Sequence, residues 1–147
     1  NCGKRGCLET YLSATGLKRT AFELLGTDKR DSALRKLTYE QATPEMIATL
    51  AQQNDPLALE AFQRTAWHLG VTMANLTEQL GPEGFIISGG LAEAGALLFE
   101  PAQQVLYNYL QPIYRSQLQI RKASLSADEV GILGAGALVM NHIERQA

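Results

Sequence analysis

The sequence feature that most constrains the fold is a long helical repeat in the middle of the chain. The repeat lies between Asp55-Pro56, which has the capping acid and first-turn proline of a helix start, and Gly81-Pro82, which has the residues of a helix stop. Its apolar residues recur at spacings of three and four, and they are Phe62, Ala66, Leu69, Met73, Leu76 and Leu80. This spacing places them on one face of an α-helix. The repeat is too short for a coiled coil, so we expect a core helix that packs on a sheet.

Two strand patterns follow the long helix. Residues 84–88 form a short apolar run between glycines, which predicts a buried strand, and residues 117–124 alternate between apolar and polar side chains. Residues 93–110 between them predict a helix with a break or kink at Pro101. A strand–helix–strand unit predicts a parallel pair with a right-handed crossover. Helices are also predicted over residues 8–14, 17–25, 43–54 and 130–143. A break at residues 15–16 separates the first two, Gly26 is the predicted C-terminal cap of the second, and residues 27–37 are predicted to form a surface loop. The fold class is therefore α/β.

Gly89 and Gly90 follow the first predicted strand directly. Nucleotides bind at the carboxyl ends of strands in open α/β sheets, where glycine permits close approach of the backbone and a helix N-terminus favours phosphate. A tight turn from strand to helix requires glycine in any case, so the pair alone is also compatible with a purely structural role. Three further glycines, Gly131, Gly134 and Gly136, predict close packing of the last helix against a neighbouring helix or the sheet. The alternative is that they contact the adenine or the other half of the cleft.

The chain opens with Asn1-Cys2-Gly3-Lys4-Arg5-Gly6-Cys7, which is followed by Leu8-Glu9. Two cysteines five residues apart, each beside a glycine, predict a tight knuckle that brings two sulfur atoms together. Three interpretations of the pair are open: half of a structural metal site, a disulfide, or two thiols. We expect Glu9 to place a buried carboxylate beside the knuckle.

The segment from Cys2 to Glu9 resembles the signature C-x-C-G-x-x-G-C-x-E of the ROK family (repressors, open reading frames and sugar kinases), whose first cysteine would precede Asn1. The resemblance continues at residues 13–16 (Ser-Ala-Thr-Gly), 87–91 (Ile-Ser-Gly-Gly-Leu) and 133–137 (Leu-Gly-Ala-Gly-Ala). Many kinases of the family have a third glycine where this chain has Ser88. The resemblance implies the ribonuclease-H-like fold of the actin and sugar-kinase superfamily, with a short central sheet and several packed helices. It implies that residues 1–147 form a single domain, the C-terminal lobe of a two-lobed protein, and that the N-terminal lobe is absent from this sequence.

The resemblance also implies roles for individual residues. Glu9 matches the glutamate that binds sugar in the family, Gly89 and Gly90 match the nucleotide-binding glycines, and Cys2 and Cys7 match zinc ligands that act with an upstream cysteine and histidine. The intact protein would then be a hexose kinase of the glucokinase type that uses ATP and Mg²⁺, and homodimers are expected. No catalytic residue is expected in this half, because the D-x-G-x-T phosphate loop and the catalytic aspartate belong to the other lobe, so this half alone should be inactive. The alternative is the C-terminal domain of a ROK transcriptional repressor, which would bind a sugar inducer.

Composition and charge exclude several classes of protein. A chain of 147 residues with 46% hydrophobic and 19% charged residues is typical of a soluble globular domain. A net charge of −2 argues against direct contact with nucleic acid by this half. No apolar run approaches the roughly 18 residues of a membrane span and no signal peptide is present, so we expect a cytoplasmic protein. We interpret His68 and His142 as ordinary helix residues, because neither has the spacing of a metal pair.

Overall fold

The structure is a computed structural model that describes residues 3–114, 118–125 and 127–145. The helices and strands are α1 (Ala14–Thr27), α2 (Pro44–Gln52), α3 (Pro56–Leu80), β1 (Gly84–Ile87), α4 (Ala96–Tyr109), β2 (Gln119–Lys122) and α5 (Ala127–Glu144). Short 3₁₀ helices lie at Leu8–Thr10, Ala33–Lys36, Gly90–Ala94 and Pro112–Tyr114. The predicted order of three helices, a strand, a helix, a strand and a final helix is confirmed. Among the helices of residues 3–114, 118–125 and 127–145, none combines the length and the hydrophobicity of a membrane span.

The sheet consists of β1 and β2, which pair in parallel with Gly84 opposite Gln119 and Ile87 opposite Lys122. The parallel pair predicted from the strand–helix–strand pattern is therefore confirmed, with α4 in the connection. Phe85 and Ile87 pack on the core formed by α3 and α4, whereas Ile86 on the other face is 77% exposed. The prediction of a buried strand was wrong for that second face, because α3 and α4 cover only one side of the sheet.

The long helix α3 connects the two parts of the hydrophobic core. Its first half packs with α1 and α2, and its second half packs with α4 and the sheet. The predicted stripe is buried from Phe62 to Met73, but Leu76 is 37% exposed and Leu80 is 74% exposed. Thr77 takes the buried position one turn after Met73, and its hydroxyl donates a hydrogen bond to the Met73 carbonyl at 2.7 Å. The stripe therefore ends before the helix does.

Capping residues set the starts of α1, α2 and α3. The predicted caps of α2 and α3 are confirmed: Thr43 accepts from the Met46 N–H, and Asp55 accepts from the N–H groups that open α3. In α1 the hydroxyl of Ser13 accepts from the Gly16 N–H at 3.0 Å, so the helix starts at Ala14. The predicted break at residues 15–16 was wrong, because this cap places them in the first turn.

Two other predicted boundaries differ from the structure. Gly26 lies inside α1, which continues to Thr27, so it is not the C-terminal cap. The interruption between β1 and α4 is at Gly95, where φ is 56° and ψ is −126°, and α4 continues through Pro101. Glycine adopts this backbone conformation far more readily than proline or any residue with a Cβ, which explains why the break lies there.

The last helix, α5, covers the predicted residues 130–143, but most of its described side chains are exposed. A Cβ added at Gly131, Gly134 or Gly136 would meet no atom within 4 Å. The prediction that these glycines pack closely against a neighbour was therefore wrong for the part of the chain that the structure describes.

Candidate functional site

The knuckle leads into a single 3₁₀ turn, Leu8–Thr10, which we call the Glu9 turn. The predicted helix over residues 8–14 is therefore reduced to this turn. Gly3 and Gly6 both have positive φ, at 71° and 74°, as a tight knuckle requires. Cys7 is half-buried at the position that precedes the turn, and its carbonyl accepts from the Thr10 N–H at 2.9 Å. Cys2 lies outside the described residues.

Residues 3–114, 118–125 and 127–145 contain no group of three or more His, Cys, Asp or Glu that could hold a metal ion. Tetrahedral zinc requires four ligands, so the donors available in this part of the chain do not complete a zinc site.

Glu9 itself is exposed, so the expectation of a buried carboxylate was wrong. The backbone that carries it is nevertheless held closely. A Cβ at Gly16 would lie 2.5 Å from the Thr10 carbonyl oxygen, which shows how near α1 approaches the turn. The Arg19 guanidinium donates to the same carbonyl at 2.7 Å. The carboxylate is thus open to a ligand on a turn whose position is fixed by α1.

The second candidate site begins where β1 ends. Gly89 has φ 100° and ψ 170°, a region in which essentially only glycine is found, and Gly90 opens the 3₁₀ helix Gly90–Ala94. The expectation that a regular helix starts directly after the glycines was wrong, because α4 begins only at Ala96. An ion pair with 2.6 Å between Lys122 Nζ and Glu93 Oε2 joins the 3₁₀ helix to the end of β2.

Gly90 lies on the wall of a cleft with a volume of about 360 Å³, which we call the Gly90 cleft. Its walls combine apolar and polar side chains from α1, α2, α3 and the 3₁₀ helix: Leu17, Pro44, Ala48, Phe62, Leu91 and Ala94 with Glu45, Thr49, Gln52 and Glu93. A hydrogen bond from the Thr43 hydroxyl lowers the pKa of Glu45, so this carboxylate is ionised at neutral pH. Apolar walls with a few polar groups are typical of sites that bind small molecules.

The two candidate sites are linked through α1. Glu9 does not line the Gly90 cleft, whose wall includes Leu17 on α1. The residue before Leu17 is Gly16, against which the Glu9 turn packs. The first turn of α1 therefore contacts the Glu9 turn on one side and the cleft on the other, and a movement of α1 would alter both.

The comparisons with known proteins agree with the signature and the fold. A model described as the ROK family matches residues 1–142. The chain belongs to the ROK family. It is 38% identical over 142 residues to a glucokinase from Halalkalibacterium halodurans, an alignment that covers 95% of this chain and 42% of that protein. It is also 26% identical over 139 residues to the DNA-binding transcriptional dual regulator NagC of Escherichia coli, covering 95% of this chain and 33% of the regulator.

A solved ROK structure gives the same result in three dimensions. The chain superimposes with a TM-score of 0.79 on a ROK family glucokinase from Streptomyces griseus in complex with glucose and AMPPNP, at 29% identity. The match covers 93% of this chain and 45% of that one. The predicted family and the actin and sugar-kinase fold are therefore confirmed. This ROK chain spans less than half the length of these relatives.

Two parts of the site had no clear signal in the sequence. Thr49 and Gln52 are exposed residues of α2, and only the packing of α2 against α3 brings them to the Gly90 cleft. The ring of His68 on α3 stacks on Tyr11, with 3.9 Å between centroids and 21° between ring planes. The interpretation of His68 as an ordinary helix residue did not anticipate this contact with the residue that follows the Glu9 turn.

Proposed function

We propose that this chain is the C-terminal, sugar- and nucleotide-contacting half of a cytoplasmic, homodimeric hexose kinase of the glucokinase type that uses ATP. The observation that carries the proposal is the Gly90 cleft, which opens at the carboxyl end of a parallel strand beside two glycines. This is where open α/β sheets bind nucleotides. The likeness to a ROK glucokinase in complex with glucose and AMPPNP supports it.

In this proposal the adenine base occupies the Gly90 cleft. Leu17, Phe62 and Leu91 offer apolar surface to its faces, and Thr49 and Gln52 offer hydrogen bonds to its edge. The phosphates extend along the backbone at Gly89 and Gly90, where an added Cβ would meet no protein atom and the space is open to a ligand. The carboxylates at the rim disfavour a bare triphosphate, so Mg²⁺ would accompany the nucleotide and neutralise part of its charge.

Glu9 is proposed to bind the sugar. Its carboxylate is exposed on a turn that α1 holds in place, so it can accept hydrogen bonds from hexose hydroxyl groups without a prior rearrangement of the backbone. Phosphoryl transfer depends mainly on positioning and charge stabilisation. This half would position both substrates, and the residue that accepts the hydroxyl proton would lie in the other lobe. We therefore expect no phosphoryl transfer by this half alone.

The test is calorimetric titration of the intact kinase with glucose and with Mg²⁺–AMPPNP. Glu9→Gln keeps the size of the side chain but removes its charge, and we expect a roughly ten- to hundredfold loss of glucose affinity with little change for AMPPNP. Glu78→Gln, an exposed glutamate in the last turn of α3, is the matched control and should bind both ligands normally. Unchanged glucose binding by Glu9→Gln would show that Glu9 is not part of the sugar site. Absence of AMPPNP binding by the wild type would refute the proposal that the protein is a kinase.

The second candidate is the sugar-binding domain of a ROK repressor. The similarity to NagC over 95% of this chain favours it. A repressor would bind the sugar inducer without a nucleotide, and a DNA-reading domain would precede this half. The same titration separates the two candidates, because only the kinase should bind Mg²⁺–AMPPNP and transfer phosphate.

We further propose that Cys7 is one ligand of a structural zinc ion, together with Cys2 and upstream donors. The positive φ of Gly3 and Gly6, which lets the knuckle turn tightly, supports this proposal. Elemental analysis of the intact kinase should give about one zinc per chain, and Cys7→Ser should lower that content. A disulfide between Cys2 and Cys7 in protein prepared without oxidation would contradict the proposal.

A further inference from the structure

The turn that carries Glu9 is joined to the central helix α3 by an aromatic contact. The Tyr11 ring stacks on the His68 ring at 3.9 Å, and the Arg19 guanidinium carbon lies 5.5 Å from the centre of the same Tyr11 ring. Arg19 also donates to the carbonyl of Thr10. We call Tyr11, His68 and Arg19 the Tyr11 clamp. Side chains from α1 and α3 thus both contact the residues that follow Glu9.

The chemistry of the clamp favours one arrangement of the rings. Partial burial lowers the pKa of His68, so its imidazole is neutral at neutral pH. A neutral ring avoids repulsion from the Arg19 cation, which contacts the same Tyr11 ring. Trp67 meets His68 edge to face at 5.0 Å, which restricts the imidazole further. Each of the three rings therefore limits the movement of the next.

Apart from the stack on His68, the Glu9 turn is held by hydrogen bonds within the turn and by α1, through Gly16 and Arg19. Within the turn, the N–H groups of Thr10 and Tyr11 donate to the carbonyls of Cys7 and Leu8 at 2.9 Å. A single 3₁₀ turn has poorer hydrogen-bond geometry than an α-helix and does not persist alone. A carboxylate that must meet a ligand in one orientation therefore depends on neighbouring elements for its position.

We propose that His68 is a positioning residue for sugar binding: by stacking on Tyr11 it holds the Glu9 turn in the orientation that binds a hexose. This inference rests on the proposed function, because it assumes that Glu9 is the sugar ligand. His68 does not touch the sugar itself. Because the turn is already ordered before the sugar binds, binding loses less conformational entropy.

The test compares His68→Ala and His68→Phe with wild type in the intact kinase. An aromatic stack contributes enough to change glucose affinity by roughly two- to tenfold, so we expect His68→Ala to bind glucose that much more weakly and AMPPNP normally. In His68→Ala, hydrogen exchange measured by mass spectrometry should be faster than in the wild type in residues 7–12 and unchanged in α3. His68→Phe, which keeps a ring at this position, should restore both properties.

The matched control is Thr72→Ala, which removes the hydrogen bond from the Thr72 hydroxyl to the His68 carbonyl at 2.7 Å but leaves the ring in place. It should exchange and bind glucose like the wild type. Trp67 meets His68 edge to face, so the tryptophan emission of the intact kinase should change in His68→Ala and not in Thr72→Ala.

Several results would overturn the inference. Normal glucose binding by His68→Ala, in a protein whose wild type binds glucose, would do so, as would an equal loss of glucose and AMPPNP affinity, which indicates general destabilisation. Failure of His68→Phe to restore glucose binding would show that stacking is not the cause. Absence of glucose binding by the wild type is a different result, because it would refute the proposed function itself.

Discussion

Asp55 connects the loop before α2 with the start of α3, and its replacement should destabilise the fold at both places. Its Oδ1 atom accepts from the Ser32 hydroxyl at 2.8 Å and from the N–H groups of Leu57 and Ala58 at 3.1 and 3.0 Å. Its Oδ2 atom accepts from the Ala33 N–H at 2.7 Å. The residue is only 9% exposed. Burial by itself raises the pKa of Asp55, but these hydrogen bonds together lower it below its usual value.

The size of the effect follows from the four bonds. Asp55→Ala removes the N-cap of α3, at a cost of about 1 kcal/mol. It also leaves the Ser32 hydroxyl and the Ala33 N–H without their charged acceptor, at about 1.5 kcal/mol each, so the total is about 4 kcal/mol. Asp55→Asn keeps an oxygen for the cap but turns an amide N–H₂ toward the Ala33 N–H. Because it loses one of these bonds, we expect a cost of about 1.5 kcal/mol.

Urea unfolding followed by circular dichroism measures both values at pH 7. The pH dependence gives a second test. Because the folded-state pKa of Asp55 is lowered, its contribution to stability is complete above the unfolded value of about 3.9 and is lost as the pH falls through the folded value. The wild type should therefore lose stability in acid more steeply than Asp55→Asn. Asp28→Asn, which alters a surface pair with Arg30, is the control and should cost less. Equal losses in the Asp55 and Asp28 variants, or identical acid dependence in wild type and Asp55→Asn, would refute the reasoning.

Two further predictions concern glycines. Gly70→Ala should lower the free energy of unfolding by about 1–3 kcal/mol, because the new Cβ would lie 2.6 Å from the Ala102 carbonyl oxygen where α3 crosses α4. The control is Gly26→Ala in α1, where a Cβ would meet no atom within 4 Å, and it should be neutral or stabilising in the same urea titration. Equal effects of the two substitutions would contradict the close approach at Gly70. Gly89→Ala should strain the turn by about 1–3 kcal/mol, because φ is 100° there, whereas Gly90→Ala should leave stability unchanged. If Gly90→Ala nevertheless weakens AMPPNP binding in the intact kinase, the ligand itself approaches that backbone, and normal binding would show that it does not.

Features set by neighbours in the sequence could be predicted well. Thr43 and Asp55 each stand directly before a proline, and both cap their helices as expected. Ser13 is the same kind of cap, but Thr15 and Gly16 after it suggested a break. Glycine was the wrong signal there because it is needed for contact with the Glu9 turn rather than for a bend, and that contact is tertiary.

The candidate site divides in the same way. Glu9 and the Gly89-Gly90 pair could be proposed from the sequence because each belongs to a local signature. The polar wall of the cleft could not be proposed, because Gln52 reaches it only through the packing of α2 on α3. The stacking of His68 on Tyr11 joins residues that are 57 positions apart, and neither side chain shows a periodicity or spacing that would link them.

The exposed apolar surface bears on the proposed function as a whole. Ile132, Leu138 and Ile143 of α5 are 77%, 74% and 56% exposed, and Ile86 on the uncovered face of the sheet is 77% exposed. A helix that is apolar on all sides is normally buried, since exposing that much apolar surface to water is unfavourable. The sequence of α5 is therefore suited to an environment that the described residues do not supply. A second lobe that covers the sheet and α5 would supply it, and this agrees with the proposal that the chain is one half of a two-lobed kinase.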